Sequence, residues 1–527
     1  MKKLLCLLLT GCVLIGCLAG CGPDDGLGGG FRFPVAAEPS ALDPQMAPDD
    51  AAVTVLCALF EGLTRLDEKG KPVPAAAAWT VSEDGLTYTF TLKESYWSAN
   101  PVKGKEQPWD QNLPVTADDF LFAFERLGDP DTHSPLADEL AGITNVTADD
   151  EKTLTVTLSA PDDTFPARMA TSPFFPCHRA FFEATAGRYG LEEEYLLSNG
   201  AFRLVAWNHG ESLLVYKHEA YRDAAQIAPE AVRFVIGSPD PVAALQAGDL
   251  SAAPLTQMQA AAAGALSTVS LNDTVRSIWF NTSADPLAEP NLRRALRDSI
   301  QWDSVDAYLH DTGEAIAHGY VPPAATVGGD PYRSEDNPLP RQTDTAAATK
   351  SLQAALKALY PDQSASPSRI RLTLLAAEDT VSADLARYIL QSWQKHLGIT
   401  VTLTLVSEAE LAKRVKNGDY QAALYSHTPT GLTGGENLAV FSSTAPDNPA
   451  RLVDKTVDAA LLAAKNGDAA QVYAAETALW HACPAIPVSF PCRYYGFADN
   501  VEDIVVRPFG GGRYQAPLDF RRAKYYD

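Results

Sequence analysis

The chain has little of what ordinarily signals chemistry. Its nine histidines form no H-x-x-x-H pair. The two nearest in sequence, His310 and His318, fit exposed polar residues of a helix and loop better than a metal site. None of the eight cysteines forms a C-x-x-C pair, so a zinc ribbon or a thioredoxin-like redox role has no support. G-x-S-x-G, P-loop and G-x-G-x-x-G fingerprints are absent, which removes the usual nucleophile and nucleotide readings. The carboxylate pairs Asp118-Asp119 and Asp149-Asp150 fall at a helix start and a turn, where capping accounts for them. Positive charge is also scarce. Lys and Arg total 42 against 66 Asp and Glu, a net charge of −24. That balance suits the chain poorly to nucleic acid or anionic lipid as partners, since it lacks the electrostatic attraction that dominates those contacts.

Long apolar runs are missing too, apart from Leu4 to Leu18 behind Met1-Lys2-Lys3. This run is too short for a spanning helix, which needs about 20 residues, and has the basic flank and apolar centre of a signal peptide. Leu18-Ala19-Gly20-Cys21 resembles the lipoprotein cleavage box, which makes Cys21 the expected lipid-attachment residue and 1–21 the leader. Cys17 and Cys12 sit in competing boxes, but Cys21 leaves the longest apolar run and is followed by a Gly-rich tether over 22–30. Four cysteines remain beyond it: Cys57, Cys177, Cys483 and Cys492. An exported location permits disulfides. Cys483 and Cys492 flank a Pro-rich segment and are readable either as a bridge or as buried free thiols.

With 527 residues, 46% of them hydrophobic, the chain can bury a core large enough for several domains. Glu83-Asp84-Gly85 reads as a turn and Leu86 to Leu92 as a half-buried strand. Thr116-x-x-Asp119 is a capping box that opens a helix with Phe120, Phe124 and Leu127 on one face. Thr153 to Leu158 alternates as a strand, and Phe202–Trp207 and Ser212–Tyr216 read as a hairpin turning at Asn208-His209-Gly210-Glu211. Strands around a single capped helix indicate a small α+β insert. Farther on, Arg369–Leu375, Ser382–Leu397 and Ile399–Val406 read as strand, helix and strand, a βαβ unit with parallel strands.

Several ordered motifs carry a resemblance: Glu38-Pro39-Ser40-Ala41-Leu42-Asp43-Pro44, Leu59-Phe60-Glu61-Gly62-Leu63, Ser198-Asn199-Gly200-Ala201-Phe202, Trp279-Phe280-Asn281-Thr282, Arg293-Arg294-Ala295-Leu296 and Gly319-Tyr320-Val321-Pro322-Pro323. Together, in this order, they resemble the extracytoplasmic solute-binding proteins of family 5, the peptide-binding components of ABC importers. The resemblance implies an α/β, two-lobed periplasmic-binding-protein fold with a hinge and an extra α+β insert in the first lobe. It places the first lobe at 31–75, 191–268 and 489–527, the insert at 76–190 and the second large lobe at 269–488, with crossings near 268 and 489. It implies a binding protein with no catalytic residues, no metal and no cofactor, acting as a monomer. Its partners would be a peptide or peptide-like solute, permease subunits and, through its lipid, the cell membrane.

By the same resemblance the peptide pairs with a first strand, Val35, Ala36, Ala37 and Glu38, the opening motif itself being strand, and with a second strand, Tyr420 to Ser426. The expected second-lobe contacts are Leu424, Tyr425, Ser426, His427, Thr428, Glu436 and Asn437. Peptide-binding members commonly carry a tryptophan and an aspartate after the second strand, the aspartate pairing the ligand's ammonium. Here the chain reads His427-Thr428-Pro429-Thr430-Gly431-Leu432-Thr433-Gly434-Gly435-Glu436-Asn437. Glu436 is either a substitute for that acid or a helix N-terminal carboxylate. A non-peptide solute (metal complex, haem or sugar) is the alternative reading, and a surface-anchored hydrolase on the same fold a more distant one.

Overall fold

The computed structural model describes residues 30–68, 70–99, 113–237, 240–333, 338–361, 365–445, 448–511 and 513–526. The expected leader, Cys21 and nearly all of the expected tether lie outside the described residues. Four sheets organise the rest. The first has the order Phe31–Val35, Ala231–Ile236, Ser212–Lys217, Phe202–Asn208, with the outer strand parallel to its neighbour and the hairpin antiparallel. The second is antiparallel, in the order Ala77–Val81, Thr87–Leu92, Thr153–Leu158, Ile143–Asp150. Both draw on one hydrophobic cluster, which joins Phe31, Phe33 and Phe234 to Phe90, Phe120 and Phe165. The segment expected as an insert therefore shares its core with the first sheet.

Thr116 and Asp119 form the expected capping box on the helix Ala117–Gly128, with Thr116 N donating to Asp119 Oδ2 at 2.8 Å. Phe120, Phe124 and Leu127 are all buried.

The largest sheet has six strands, in the order Ala315–Ile316, Ala485–Phe490, Val275–Phe280, Ala422–His427, Arg371–Ala377, Thr400–Val406. The last two are parallel and are joined by the helix Thr380–Leu397, whose C-terminus ends on Gly398 in the left-handed conformation. This is the expected crossover unit. A separate three-stranded sheet, Ala252–Leu255, Arg493–Phe497, Ser267–Leu271, lies beside the six-stranded one in the chain. The chain passes between them twice, at 272–274 and at 491–492, a few residues beyond the crossings expected near 268 and 489.

One local expectation is corrected, and one alternative left open by the sequence is decided. The opening motif is not a strand: strand geometry stops at Val35, and Ala36 to Pro44 runs as bends and turns. Pro39 and Pro44 cannot donate to a ladder. Glu38 and Asp43 are drawn to other partners, Asp43 forming a bidentate pair with the buried guanidinium of Arg126 at 3.0 and 2.6 Å. Cys483 and Cys492 do not bridge. They sit at opposite ends of the six-residue strand Ala485–Phe490, which spans about 20 Å, whereas a disulfide needs Cα atoms within about 7 Å.

Candidate functional site

The motifs that carry the family resemblance hold the scaffold. Asn199 accepts from Glu61 N at 3.0 Å and donates to Glu61 O at 2.9 Å, locking the two motifs together across the chain. A Cβ on Gly200 would lie 2.7 Å from Leu59 O, so only glycine allows that approach. Buried Glu476 accepts from the backbone N–H groups of Tyr320 and Val321 at 2.6 and 2.9 Å and pairs with Arg333 at 2.6 Å. Asn281 donates to Gly418 O and Tyr420 O, orienting the turn that leads into Ala422–His427.

That strand is interior. Its ladder with Val275–Phe280 runs the full length, from Ala422↔Phe280 to His427↔Val275, whereas its ladder with Arg371–Ala377 ends at Leu424↔Ala376. Leu424 is accordingly a core residue, 1% exposed. Tyr425, Ser426, His427 and Thr428 lie beyond the second ladder and are half-buried. Tyr425 O accepts from Trp279 Nε1 at 3.3 Å, and the His427 ring meets Trp279 edge-on at 6.0 Å. Thr428 Oγ1 is 2.7 Å from Thr274 Oγ1, which in turn donates to Asp273 Oδ1 at 3.3 Å.

Asp273, Thr274 and Arg493 went unrecognised in the sequence. Asp273 is fully buried in the first crossing and is clasped by Arg493 at the end of the second, with Nε at 2.8 Å from Oδ1 and an Nη2 contact to Oδ2. Phe509 N also donates to Oδ2 at 2.8 Å. The pairing ties the two crossings together, and no spacing in the chain signals it, because the partners are 220 residues apart.

A cavity of about 140 Å³ lies between the lobes, with Leu66 and Thr171 on one wall, Thr430, Leu432 and Glu436 on the other, and Arg513 at its edge. Arg513 N donates to Thr430 O at 3.1 Å, and its guanidinium is 3.4 Å from Glu139. Glu436 lines this cavity and also caps its own helix: Oε2 accepts from Leu432 N and Thr433 N at 2.9 Å each, and from Thr433 Oγ1. A Cβ on Gly431 would fall 2.1 Å from Glu436 Cβ, so the tight turn depends on that glycine. Asn437 is buried and donates to Gly431 O at 2.6 Å.

The first-lobe set is placed elsewhere. Val35 is core, Ala36 and Ala37 are exposed, and Glu38 binds the tip of the Phe202–Asn208/Ser212–Lys217 hairpin. It accepts from Trp207 Nε1 at 3.0 Å and Gly210 N at 3.1 Å and pairs with His209 at 2.5 Å. None of these four residues lines the interlobe cavity. Among the described residues no group of three or more His, Cys, Asp or Glu is arranged to hold a metal ion.

The family model for bacterial extracellular solute-binding proteins, family 5 Middle, matches residues 70–449. A dipeptide-binding protein of Bacillus subtilis, DppE, is 25% identical over 503 residues, covering 90% of this chain and 89% of its own length. Among solved structures, Listeria monocytogenes OppA bound to peptide matches with a TM-score of 0.71 at 21% identity, over 94% of this chain and 99% of that one. The binding protein AgaA in complex with agropinic acid, from Agrobacterium ("A.tumefacien R10"), matches with a TM-score of 0.72 at 20% identity, over 95% and 99%. At these identities the two structures establish the two-lobed α/β fold. With the family model spanning most of its length, the chain belongs to the bacterial extracellular solute-binding proteins of family 5.

Proposed function

We propose that this protein is the solute-binding component of an ABC importer, anchored at Cys21, which closes its two lobes on a peptide-like ligand and delivers it to the permease. The observation that carries the reading is the cavity walled by both lobes, in a chain whose two crossings are clasped together by Asp273 and Arg493. Ligand held there stabilises the closed arrangement, which is the state a permease distinguishes. In this reading 31–75, 191–268 and 489–527 move together with the insert 76–190, against 269–488.

The peptide would be held mainly through main-chain groups at Tyr425 to Thr428, which do not line the cavity themselves but lead into its wall at Thr430, and less through charge. Where an ammonium partner is expected, the chain presents Thr428 in a hydroxyl chain to Thr274, and the nearby acid, Asp273, is already neutralised by Arg493. That same feature favours a second reading, a solute without a free ammonium, and AgaA shows that the fold accommodates a ligand such as agropinic acid.

Native mass spectrometry of leaderless protein tests both. A co-purifying peptide supports the first reading. A non-peptide mass, with no peptide of any length stabilising the protein, replaces it with the second. Membrane retention is tested separately by Cys21→Ala, which should abolish lipid labelling; if labelling persists, Cys17 or Cys12 carries the lipid.

A further inference from the structure

We propose that the chain at Phe509 and Arg513 is a third connection between the lobes, a strap that favours their closed arrangement and so regulates access to the interlobe cavity. The purpose assigned to it rests on the reading that the lobes close on a solute.

Beyond Phe490 the chain returns to the first lobe's cluster, where Tyr495, Phe497, Leu518 and Phe520 are buried with Phe31 and Phe234. Phe509 departs from this. It is 4% exposed and belongs to the cluster of the second lobe, with Trp279, Leu438 and Phe441. On either side of it the chain is held by the first lobe or by the segment 76–190 that shares its core. Arg507 N donates to Pro517 O at 2.9 Å, and the Arg507 guanidinium pairs with Asp519 at 2.9 Å. Tyr514 O accepts from Ser172 N at 3.1 Å, and Gln515 Nε2 donates to Ala170 O. The chain thus leaves the first lobe after Arg507, reaches the second at Phe509 and is back by Tyr514. Arg513 is divided between the two: its backbone N–H donates to Thr430 O at 3.1 Å in the second lobe, while its guanidinium lies 3.4 Å from Glu139.

The backbone is bent for this excursion, with φ of 56° at Phe509 and 66° at Gly510. A phenylalanine rarely occupies that left-handed region, so burial of its ring is what holds the conformation. Phe509 N donates to Asp273 in the first crossing, which puts this anchor at the hinge, whereas Arg513 and Gln515 line the cavity. Opening the cleft at Thr430 must then break the Arg513 bond or draw Arg513 away from Glu139, and a hinge of two crossings alone would carry neither cost. Contacts made only in the closed arrangement shift the population towards it.

Distances between labels across the cleft test the strap. Asp162 and Lys465 approach to 4.0 Å from the two sides. Their exposed neighbours Asp163 and Asn466 are changed to Cys and carry nitroxides, in leaderless protein with the half-buried Cys57 and Cys492 replaced by Ser. Electron paramagnetic resonance without added solute should show a short-distance population. Phe509→Ala should lower the ratio of short-distance to long-distance molecules about tenfold, the scale set by exposing one buried phenylalanine. Leu461→Ala, which opens the same cluster away from the strap, should leave the ratio unchanged. Where Phe509→Ala does not fold, Arg513→Pro removes the N–H given to Thr430 and should lower the ratio in the same direction. A protein with no short-distance population, a ratio unchanged in the folded variant, or an equal fall in Leu461→Ala overturns the proposal. No solute is added, so these outcomes do not depend on what the protein binds, and native mass spectrometry identifies the solute without reference to the strap; the two readings therefore fail separately.

Discussion

At the scale of residues, two polar clusters carry consequences that can be measured. Asp273 is fully buried and, among the described residues, its charge is matched only by Arg493, whose side chain is 29% exposed. Removing one partner of such a pair leaves the other desolvated and unmatched, which costs about 3–5 kcal/mol. Asp273→Ala should therefore lower stability in denaturant unfolding by about that amount, whereas Asp273→Asn, which keeps the hydrogen-bonding shape, should cost less. An equal small effect from both would mean the clasp contributes little. His209 offers a pH-dependent case. Hydrogen bonds to Glu192 and to Glu38 raise its pKa above the usual 6.5. For Glu38, burial pushes the pKa up, but hydrogen bonds from His209 and Trp207 outweigh it and hold the carboxyl below 4.5. The signs are opposite. The imidazolium contribution is complete below the ordinary histidine pKa and is lost as pH rises through the raised one; the carboxylate contribution is complete above the ordinary glutamate pKa and is lost as pH falls through the lowered one. The contact between Glu38 and the hairpin tip should thus be strongest between these two ranges. NMR titration of the His209 ring should give a pKa above 6.5, returned towards it by Glu192→Gln; a ring titrating at or below 6.5 contradicts the contact.

At the scale of elements, the thiols separate two readings of one segment. Cys483 ends the helix Ala469–Ala482 with a φ of 55°, and Cys492 lies past the far end of the strand Ala485–Phe490, donating to Asn272 Oδ1 at 2.6 Å. Leaderless protein, unfolded without reductant, should titrate four thiols. In the native state Cys177 and Cys483 should resist alkylation, since both are buried and burial pushes the Cys177 thiol up to about 12 and also raises Cys483. Two thiols by the first count would restore the bridge. Elements governed by local rules were legible in the chain: the capped helix at Thr116, the hairpin around Gly210, and the crossover ending at Gly398 all depend on residues close in sequence. The elements that misled were those decided at a distance. The opening motif reads as extended, but Asp43 is claimed by Arg126, 83 residues away, and Glu38 by a hairpin more than 160 residues on. Tyr420 to Ser426 was recognisable as a strand, yet its interior place in the sheet follows from pairings with Val275–Phe280 and Arg371–Ala377 that no local pattern encodes.

At the scale of the whole molecule, the arrangement of charge from the strand end at Tyr425–Thr428 to the interlobe cavity lined by Glu436 decides what kind of ligand fits. Between Tyr425 and Thr428 there is no carboxylate. Asp273 is bound by Arg493 and by Phe509 N, and Glu436 has Oε2 engaged by three donors of its own turn. The remaining carboxylate of the cavity lining, Glu139, lies 3.4 Å from the guanidinium of Arg513, so the acids of this cleft are already partnered and main-chain recognition is the expected mode. Thermal unfolding of leaderless protein with a peptide library should reveal stabilising ligands, because ligand at 100 times its Kd adds about 2.7 kcal/mol. Acetylating the amino group of the best peptide should change its affinity little, and Glu436→Gln should leave that affinity intact even if it weakens the helix cap. The two measurements must be read together. Should acetylation abolish binding while Glu436→Gln does the same to the unmodified peptide, Glu436 would be the ammonium partner after all and charge-light recognition would be wrong; should acetylation alone abolish it, the partner would lie elsewhere in the cleft, and Asp273 and Glu139 would be the next carboxylates to change.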